Sequence, residues 1–467
     1  MIQKNQEYIG IVEDMGMNGE GVIKNDGITV FVPFAIAGEK IKYKILKASG
    51  RVAYAKLLEV FTPAEERVRP KCPVFSKCGG CDLQHVKYIE QLKIKENKIK
   101  NCFKKIAFTE VNLKPSVKSD LDFRYRNKLQ LPVGETENGT AIGFYALNSH
   151  RIVPVTDCLI NPEWTASIIS STKKFMEETG LKGYNELTGS GDIREITVKE
   201  IRGALIITAV ILGKSLRKVE RFVEILKEEL KCEFSLFINH NDKKGNFVYG
   251  DEFTLVYGKE TYSSEMLGIK YKTGVRSFSQ VNTSVCEKLY SAVNSLVEGE
   301  NITVIDAYSG AGLMTALLSK KANKAIGIEI VKEAVQIADE LAEENGLKDK
   351  ITNYNGKCED ILPDVIRREK EAGNDTVIVL DPPRKGCDLS VINAVKNSGA
   401  DKVIYVSCKP STFARDVGLL IGTLEVKENQ IVKAEENNGT YNIDFARAFD
   451  MFPQTKHVET LLVLSHK

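Results

Sequence analysis

Nothing in this 467-residue sequence stays apolar for long. The longest such run, Ala204 to Leu212, is about half of what a bilayer-spanning helix needs. The opening residues M-I-Q-K-N-Q-E-Y hold no apolar signal core. These absences exclude a helical membrane protein and make a cytoplasmic location the expectation. Charge of one sign is lacking too: 65 Lys and Arg against 63 Asp and Glu leave a net +2, so the chain as a whole selects no partner by charge. Cysteine occurs ten times, but without the two C-x2-C hooks of common structural zinc sites. A disulfide framework is not expected in a cytoplasmic chain.

What is present is a globular composition, 43% hydrophobic and 27% charged, in a chain long enough for about three domains. The charge is unevenly placed. Between Val86 and Lys128 stand twelve basic and five acidic residues, a local +7 that leaves the remainder at −5. Such an excess suits a phosphate-binding surface, although a solvated helical face produces the same run.

Residues 1–60 alternate apolar and polar positions between glycines, and 8–12, 21–23, 28–32, 40–45 and 53–57 read as five short strands. That pattern predicts a small barrel of the oligonucleotide-binding type. The next segment, C-P-V-F-S-K-C-G-G-C, brings Cys72, Cys78 and Cys81 close together, with glycines that permit tight turns. Cys158, in T-D-C-L, is a candidate fourth ligand and Cys102 a weaker one. Four thiolates suit zinc or a [4Fe–4S] cluster, and three local ligands with one remote lean towards iron–sulfur. The C-x5-C-x2-C spacing differs from the C-x3-C-x2-C of radical enzymes, so no open iron site is expected. Residues 86–106 read as a basic helix. F-R-Y-R-N-K, 123–128, interleaves aromatics with cations as RNA-contacting surfaces do, a strand edge with solvated charges being the alternative. From about 125 to 260, strand-like runs and one helix near 216–229 predict an α+β unit without a catalytic constellation.

The last two hundred residues alternate strands and helices. The strand at 302–306 leads into A-Y-S-G-A-G, and the next, 325–329, ends on Glu329, 23 residues after Asp306. A glycine loop after one strand and an acid ending the next is how a doubly wound sheet holds a nucleoside; the missing third glycine argues against NAD. A strand at 377–380 delivers Asp381-Pro382-Pro383-Arg384 to the same carboxyl edge, and one at 403–406 delivers Cys408. Pro410 stops that strand, and Ser411 or Thr412 is placed to cap a helix from Phe413. Cys408 therefore sits at a helix N-terminus, where a thiol pKa is lowered. The alternative, a small buried hydrophobe, is the usual fate of a lone cysteine, but four segments converging on one cleft favour a nucleophile.

With D-P-P-R-K-G at 381–386, Y-V-S-C at 405–408, T-F-A-R-D at 412–416 and F-D-M-F-P-Q-T-K-H-V-E at 449–459, the chain resembles the RNA uracil-C5 methyltransferase family over essentially its whole length. The resemblance implies an α/β protein with three parts. They are an N-terminal OB-like β-barrel (TRAM, residues 1–60), an α+β central domain with an iron–sulfur cluster (61–260), and a class I, Rossmann-like methyltransferase domain dependent on S-adenosylmethionine (261–467). It implies Cys408 as nucleophile, Glu459 as general base, and Gln280, Tyr308, Glu329 and Asp381 as cofactor-binding residues. Cys72, Cys78, Cys81 and Cys158 match the [4Fe–4S] ligands of the branch acting on 23S rRNA; tRNA-specific relatives commonly lack both cluster and barrel. The expected partner is 23S rRNA with its uridine flipped out of the stack, bound by a monomer. The T-loop of tRNA, or a non-enzymatic iron–sulfur RNA-binding protein, are the alternatives. Lys409 departs from the family's usual Asn.

Overall fold

The computed structural model describes residues 2–137, 139–243, 245 and 247–467. Among them no helix is long and apolar enough to cross a membrane. Three larger sheets organise the chain.

The first sheet has six strands within residues 7–62, one more than the sequence predicts, because Asp14–Met15 pairs briefly with Gly21–Asn25. Lys40–Ser49 shows why these residues form strands: Ile41, Tyr43 and Ile45 are fully buried, while the residues between them face outward. It pairs with Val52–Thr62 over almost its whole length, so both strands are longer than their apolar cores suggest.

The second sheet has seven strands, in the order Ile152–Pro154, Gly139–Tyr145, Lys128–Thr136, Ile193–Ile201, Ala204–Ile211, Phe234–His240 and Glu252–Tyr257. Its one parallel pair joins Ala204–Ile211 to Phe234–His240 through the helix Val219–Glu229. Ala204–Ile211 is buried at every position, which accounts for the longest apolar run of the chain. Ile207 packs under the helices Trp164–Thr179 and Val219–Glu229, and Ile206 packs against Tyr262 on the other face.

The third sheet has eight strands, in the order Ile351–Asn355, Lys324–Glu329, Ile302–Asp306, Asp375–Leu380, Lys402–Ser407, Glu459–His466, Tyr441–Phe449 and Leu113–Val117. The first five are parallel and Glu459–His466 runs antiparallel to Lys402–Ser407, the doubly wound, Rossmann-like arrangement expected. The eighth strand is the surprise. Leu113–Val117 pairs with Tyr441–Phe449, and the preceding helix Tyr88–Cys102 buries Ile99, Cys102 and, in a following π turn, Phe103 against Phe413 and Leu420. Residues 88–117 thus pack into the third sheet's core, although they lie inside the expected 61–260 part. Its apolar positions sit on one side of a lysine-rich helix, which masked that core contribution in the sequence.

Candidate active site

Strand register builds the site. Ser407 pairs with Thr460, the last pair of its ladder, so the next residues on the two strands, Cys408 and Glu459, come out side by side at the carboxyl edge of the sheet. Leu380 pairs with Tyr405, which brings Asp381 to the same edge. Pro410 lies in the first turn of the helix Pro410–Leu420, where its missing N–H costs nothing. The helix therefore starts three residues before the expected Phe413, and neither Ser411 nor Thr412 caps it.

Cys408, Glu459, Asp381 and Gln280 line one cavity of about 690 Å³, together with Arg384 and His457. Tyr308 and Glu329 are not on its walls. Tyr308 sits on the neighbouring glycine loop and Glu329 ends the next strand, where its carboxylate accepts from the N–H groups of Gly310 (3.1 Å) and Val331 (2.9 Å). Gly312 lies at φ +82°, and a Cβ there would come within 2.7 Å of Ala338. Behind the loop, Thr315 Oγ1 donates to the buried Asp306 at 2.7 Å.

Burial dominates the electrostatics. It pushes Asp381 up to about 7, with the Asp306 charge adding to the shift. Burial and then Asp381 push Glu459 well above the usual carboxyl range, against the opposing charge of Arg384. The Cys408 thiol is raised as well, by burial first and by Glu459 next, while Arg384 opposes the shift by its charge and a hydrogen bond. A thiol lowered by its helix N-terminus is therefore not what the resting site holds; low-dielectric surroundings and two carboxyl groups outweigh the helix end. Arg384 is the residue that motif reading left without a role, although D-P-P-R carries it in plain view. Lys409 is exposed and turned out of the cavity wall.

The same cavity is lined by Cys72, Cys78, Cys81 and Cys158. Cys102 is excluded from it, buried instead in the core of the third sheet. Burial raises Cys158 to about 11, with Cys78 and Cys72 adding to the shift, and raises Cys81 beyond that, with the other three sulfurs contributing. The Gly80 N–H donates to Cys78 Sγ at 3.4 Å. Gly79 permits a close approach, since a Cβ there would lie 3.1 Å from the Tyr145 carbonyl oxygen. Among the described residues, no three His, Cys, Asp or Glu side chains form a group that could hold a metal ion.

Several residues of the basic segments are tied into the fold. Arg124 is tied down by Asp157 (2.6 and 3.0 Å) and the Cys158 and Asn161 carbonyls, fastening the loop that carries Cys158. Tyr125 is buried and donates to the Pro453 carbonyl at 2.9 Å. Asn127 Nδ2 donates to the Gln280 carbonyl at 3.0 Å. Lys95 is fully buried against Asp450 at 2.5 Å and the Phe452 carbonyl at 3.0 Å, and Lys98 donates to the Lys456 carbonyl at 3.0 Å. F-R-Y-R-N-K and one face of the helix Tyr88–Cys102 thus hold the segments leading to Glu459, Gln280 and Cys158. Arg126 and Lys128 do line the cavity, and Lys93, Lys100, Lys104 and Lys105 remain exposed.

A family model described as tRNA (uracil-5-)-methyltransferase matches residues 203–467. An uncharacterized RNA methyltransferase of Clostridium acetobutylicum is 34% identical over 471 residues, covering 99% of this chain and 98% of that protein. One of Listeria monocytogenes is 36% identical over 468 residues, with the same coverage. Among solved structures, the tRNA (uracil-54, C5)-methyltransferase of Pyrococcus abyssi in complex with S-adenosyl-L-homocysteine shares the fold at a TM-score of 0.75. It is 24% identical, and the match covers 98% of this chain and 100% of that one.

Proposed function

The chain belongs to the RNA uracil-5 methyltransferase family, and from that premise we propose that it methylates C5 of a uridine in 23S rRNA through a covalent adduct on Cys408. The observation that carries this reading is the register pairing that sets Cys408 beside Glu459, with Asp381 on the same wall.

Uracil C5 is a weak nucleophile. Addition of the Cys408 sulfur to C6 makes the ring an enolate whose C5 attacks a sulfonium methyl. S-adenosylmethionine supplies that methyl and the positive charge it leaves from. The adduct then carries both a methyl and a hydrogen at C5. Glu459, ionised, takes that proton; the electron pair forms C5=C6 and expels the Cys408 thiolate, releasing 5-methyluridine. Asp381 and Gln280 are the groups on this wall fit to orient the donor and the uracil edge, with Tyr308 on the adjoining loop and Glu329 at the end of the next strand serving the donor. Because C5 and C6 are approached by two groups, the uridine has to leave its stack.

The cysteine wall suits a [4Fe–4S] cluster held by Cys72, Cys78, Cys81 and Cys158. The donor chemistry fits: Cys158, Cys78 and Cys72 all raise the Cys81 thiol, Cys78 and Cys72 raise Cys158, and a backbone N–H donates to the Cys78 sulfur. A cluster there would brace the wall on which RNA lies. The 23S assignment rests on that cysteine set and on the barrel-like first sheet, and we take the protein to act as a cytoplasmic monomer.

The test is incubation with methyl-labelled S-adenosylmethionine and total RNA from a strain lacking the gene, followed by mapping of 5-methyluridine. Label in 23S rRNA is expected. Label confined to the tRNA T-loop would move the substrate, and no label in any RNA would sink the enzymatic reading.

A further inference from the structure

A second cavity of about 390 Å³ opens beside the first, and the two share Gln130 and Phe144 as a common wall. It has room for one nucleoside-sized group. Tyr145, Tyr184 and Phe247 supply aromatic walls, and Arg194, Glu195 and Glu186 supply charge. Consecutive strand residues ordinarily point to opposite faces. Here Arg194 and Glu195 both reach one cavity because the strand bulges: Ile193 pairs with Ile211 and Glu195 with Val210, leaving Arg194 as the extra residue. Bulges that re-aim a side chain gather next to functional sites.

Glu186 is already engaged by the Tyr145 hydroxyl (3.3 Å) and by His150 Nδ1 (2.8 Å), whereas Arg194 and Glu195 differ in how they are held. Arg194 is fixed, its guanidinium 4.5 Å from the Tyr184 ring centroid and Nη1 donating to the carbonyls of Asn241 (2.6 Å) and Lys243 (3.0 Å). Glu195 is acted on by burial and by the charges of Arg194 and Lys128, with no hydrogen bond to its carboxyl group among the described residues. Phe247 leaves its ring 61% exposed beside them.

We propose that this cavity is a second nucleobase subsite, taking a guanine of the same RNA strand splayed out near the target uridine. The inference rests on the uridine reading of the first cavity. Rings stack on any base, so the polar pair decides the choice. Guanine presents two adjacent donors, N1–H and the N2 amino group, to one carboxylate, and O6 and N7 to a guanidinium. Adenine, cytosine and uracil each present only one donor on that edge. Burial raises the Glu195 carboxyl to about 7, and the two donors of a bound guanine would favour its ionised form.

Fluorescence anisotropy with the full chain tests this, using labelled uridine heptanucleotides in which each position in turn is guanosine, inosine or adenosine. One register should bind roughly tenfold tighter with guanosine than with adenosine. Inosine, lacking the N2 amino group, should lose part of that gain, and Glu195→Gln should remove it. Phe247→Ala, at an exposed ring that the core does not need, should weaken binding whatever the base. No guanosine preference at any register, or a preference that survives Glu195→Gln in protein of unchanged Tm, overturns the subsite. Equally tight binding of free guanosine 5′-monophosphate makes it a nucleotide site and overturns the RNA source. The same preference in Cys408→Ala protein, which transfers no methyl group, upholds the subsite even if the uridine chemistry proves wrong.

Discussion

Cys408, the proposed nucleophile, and Glu459, the proposed base, sit where burial raises the pKa of both. Their variants should therefore fail differently. Cys408→Ala should abolish both methyl transfer and any RNA adduct. Glu459→Gln should permit addition and methylation but slow elimination by roughly a hundredfold or more, accumulating a denaturant-resistant protein–RNA species on a gel. Turnover by Cys408→Ala would remove the nucleophile assignment, and normal release by Glu459→Gln would remove the base. Charge links the pair to the methyl donor. A sulfonium cation beside Asp381 favours the ionised carboxylate, so below about 7 its binding must expel a proton. Affinity for S-adenosylmethionine should rise with pH up to about 7 and level off above, whereas S-adenosylhomocysteine, whose sulfur carries no charge, should show a shallower dependence. Titration calorimetry in buffers of different ionisation enthalpy measures the protons released, and equal pH profiles for the two ligands would contradict the coupling. The motifs singled out Cys408, Glu459 and Asp381, and the fold lines one cavity with all three. The direction of the thiol's shift was not legible, because it depends on carboxyl groups brought in from two other strands.

The helix Tyr88–Cys102 separates what periodicity tells from what it hides. Its existence follows from its spacing, but its lysines look alike in a sequence. In the fold Lys95 is buried on Asp450 and Lys98 caps a carbonyl, whereas Lys100, Lys104 and Lys105 face solvent. Lys95→Met should destabilise the protein by roughly 3 to 5 kcal/mol, because Asp450 is left buried and unpaired. Adding Asp450→Leu should recover most of the loss in denaturant unfolding, and a double variant as unstable as the single one would show that packing, not the ion pair, was at stake. The exposed lysines predict something else. Neutralising any one that contacts phosphate should reduce the slope of log affinity against log salt by about 1. An unchanged slope would place that lysine off the RNA. The parallel strands were legible for a plainer reason: Ile302–Asp306 and Asp375–Leu380 are short β-branched runs buried on both faces. Leu113–Val117 is a half-exposed edge strand containing Pro115, and nothing local announces its distant partner Tyr441–Phe449.

At the scale of the whole molecule, one cavity gathers the cysteine segment, the Cys158 loop, the Gln280 segment and the carboxyl edge of the third sheet. Asp82, next to Cys81, donates its N–H to the Gln454 carbonyl at 3.1 Å and pairs with Lys456 at 3.2 Å, so the cysteine segment also touches the approach to Glu459. A cluster there would tie distant parts of the chain together, and thiol chemistry reads that out independently of activity. Cys72, Cys78, Cys81, Cys158, Cys232 and Cys408 are partly exposed, whereas Cys102, Cys286, Cys358 and Cys387 are buried. Protein purified without oxygen should hold about four irons per chain. In the native state it should then be alkylated at Cys232 and Cys408 alone. Chelation or air oxidation followed by reduction should open Cys72, Cys78, Cys81 and Cys158 to the reagent, while the four buried thiols stay protected until unfolding. Peptide mass mapping distinguishes the outcomes. Iron-loaded protein alkylated at all four wall cysteines, or stoichiometric zinc in place of iron, would end the cluster assignment and with it the main support for a ribosomal rather than a transfer RNA substrate.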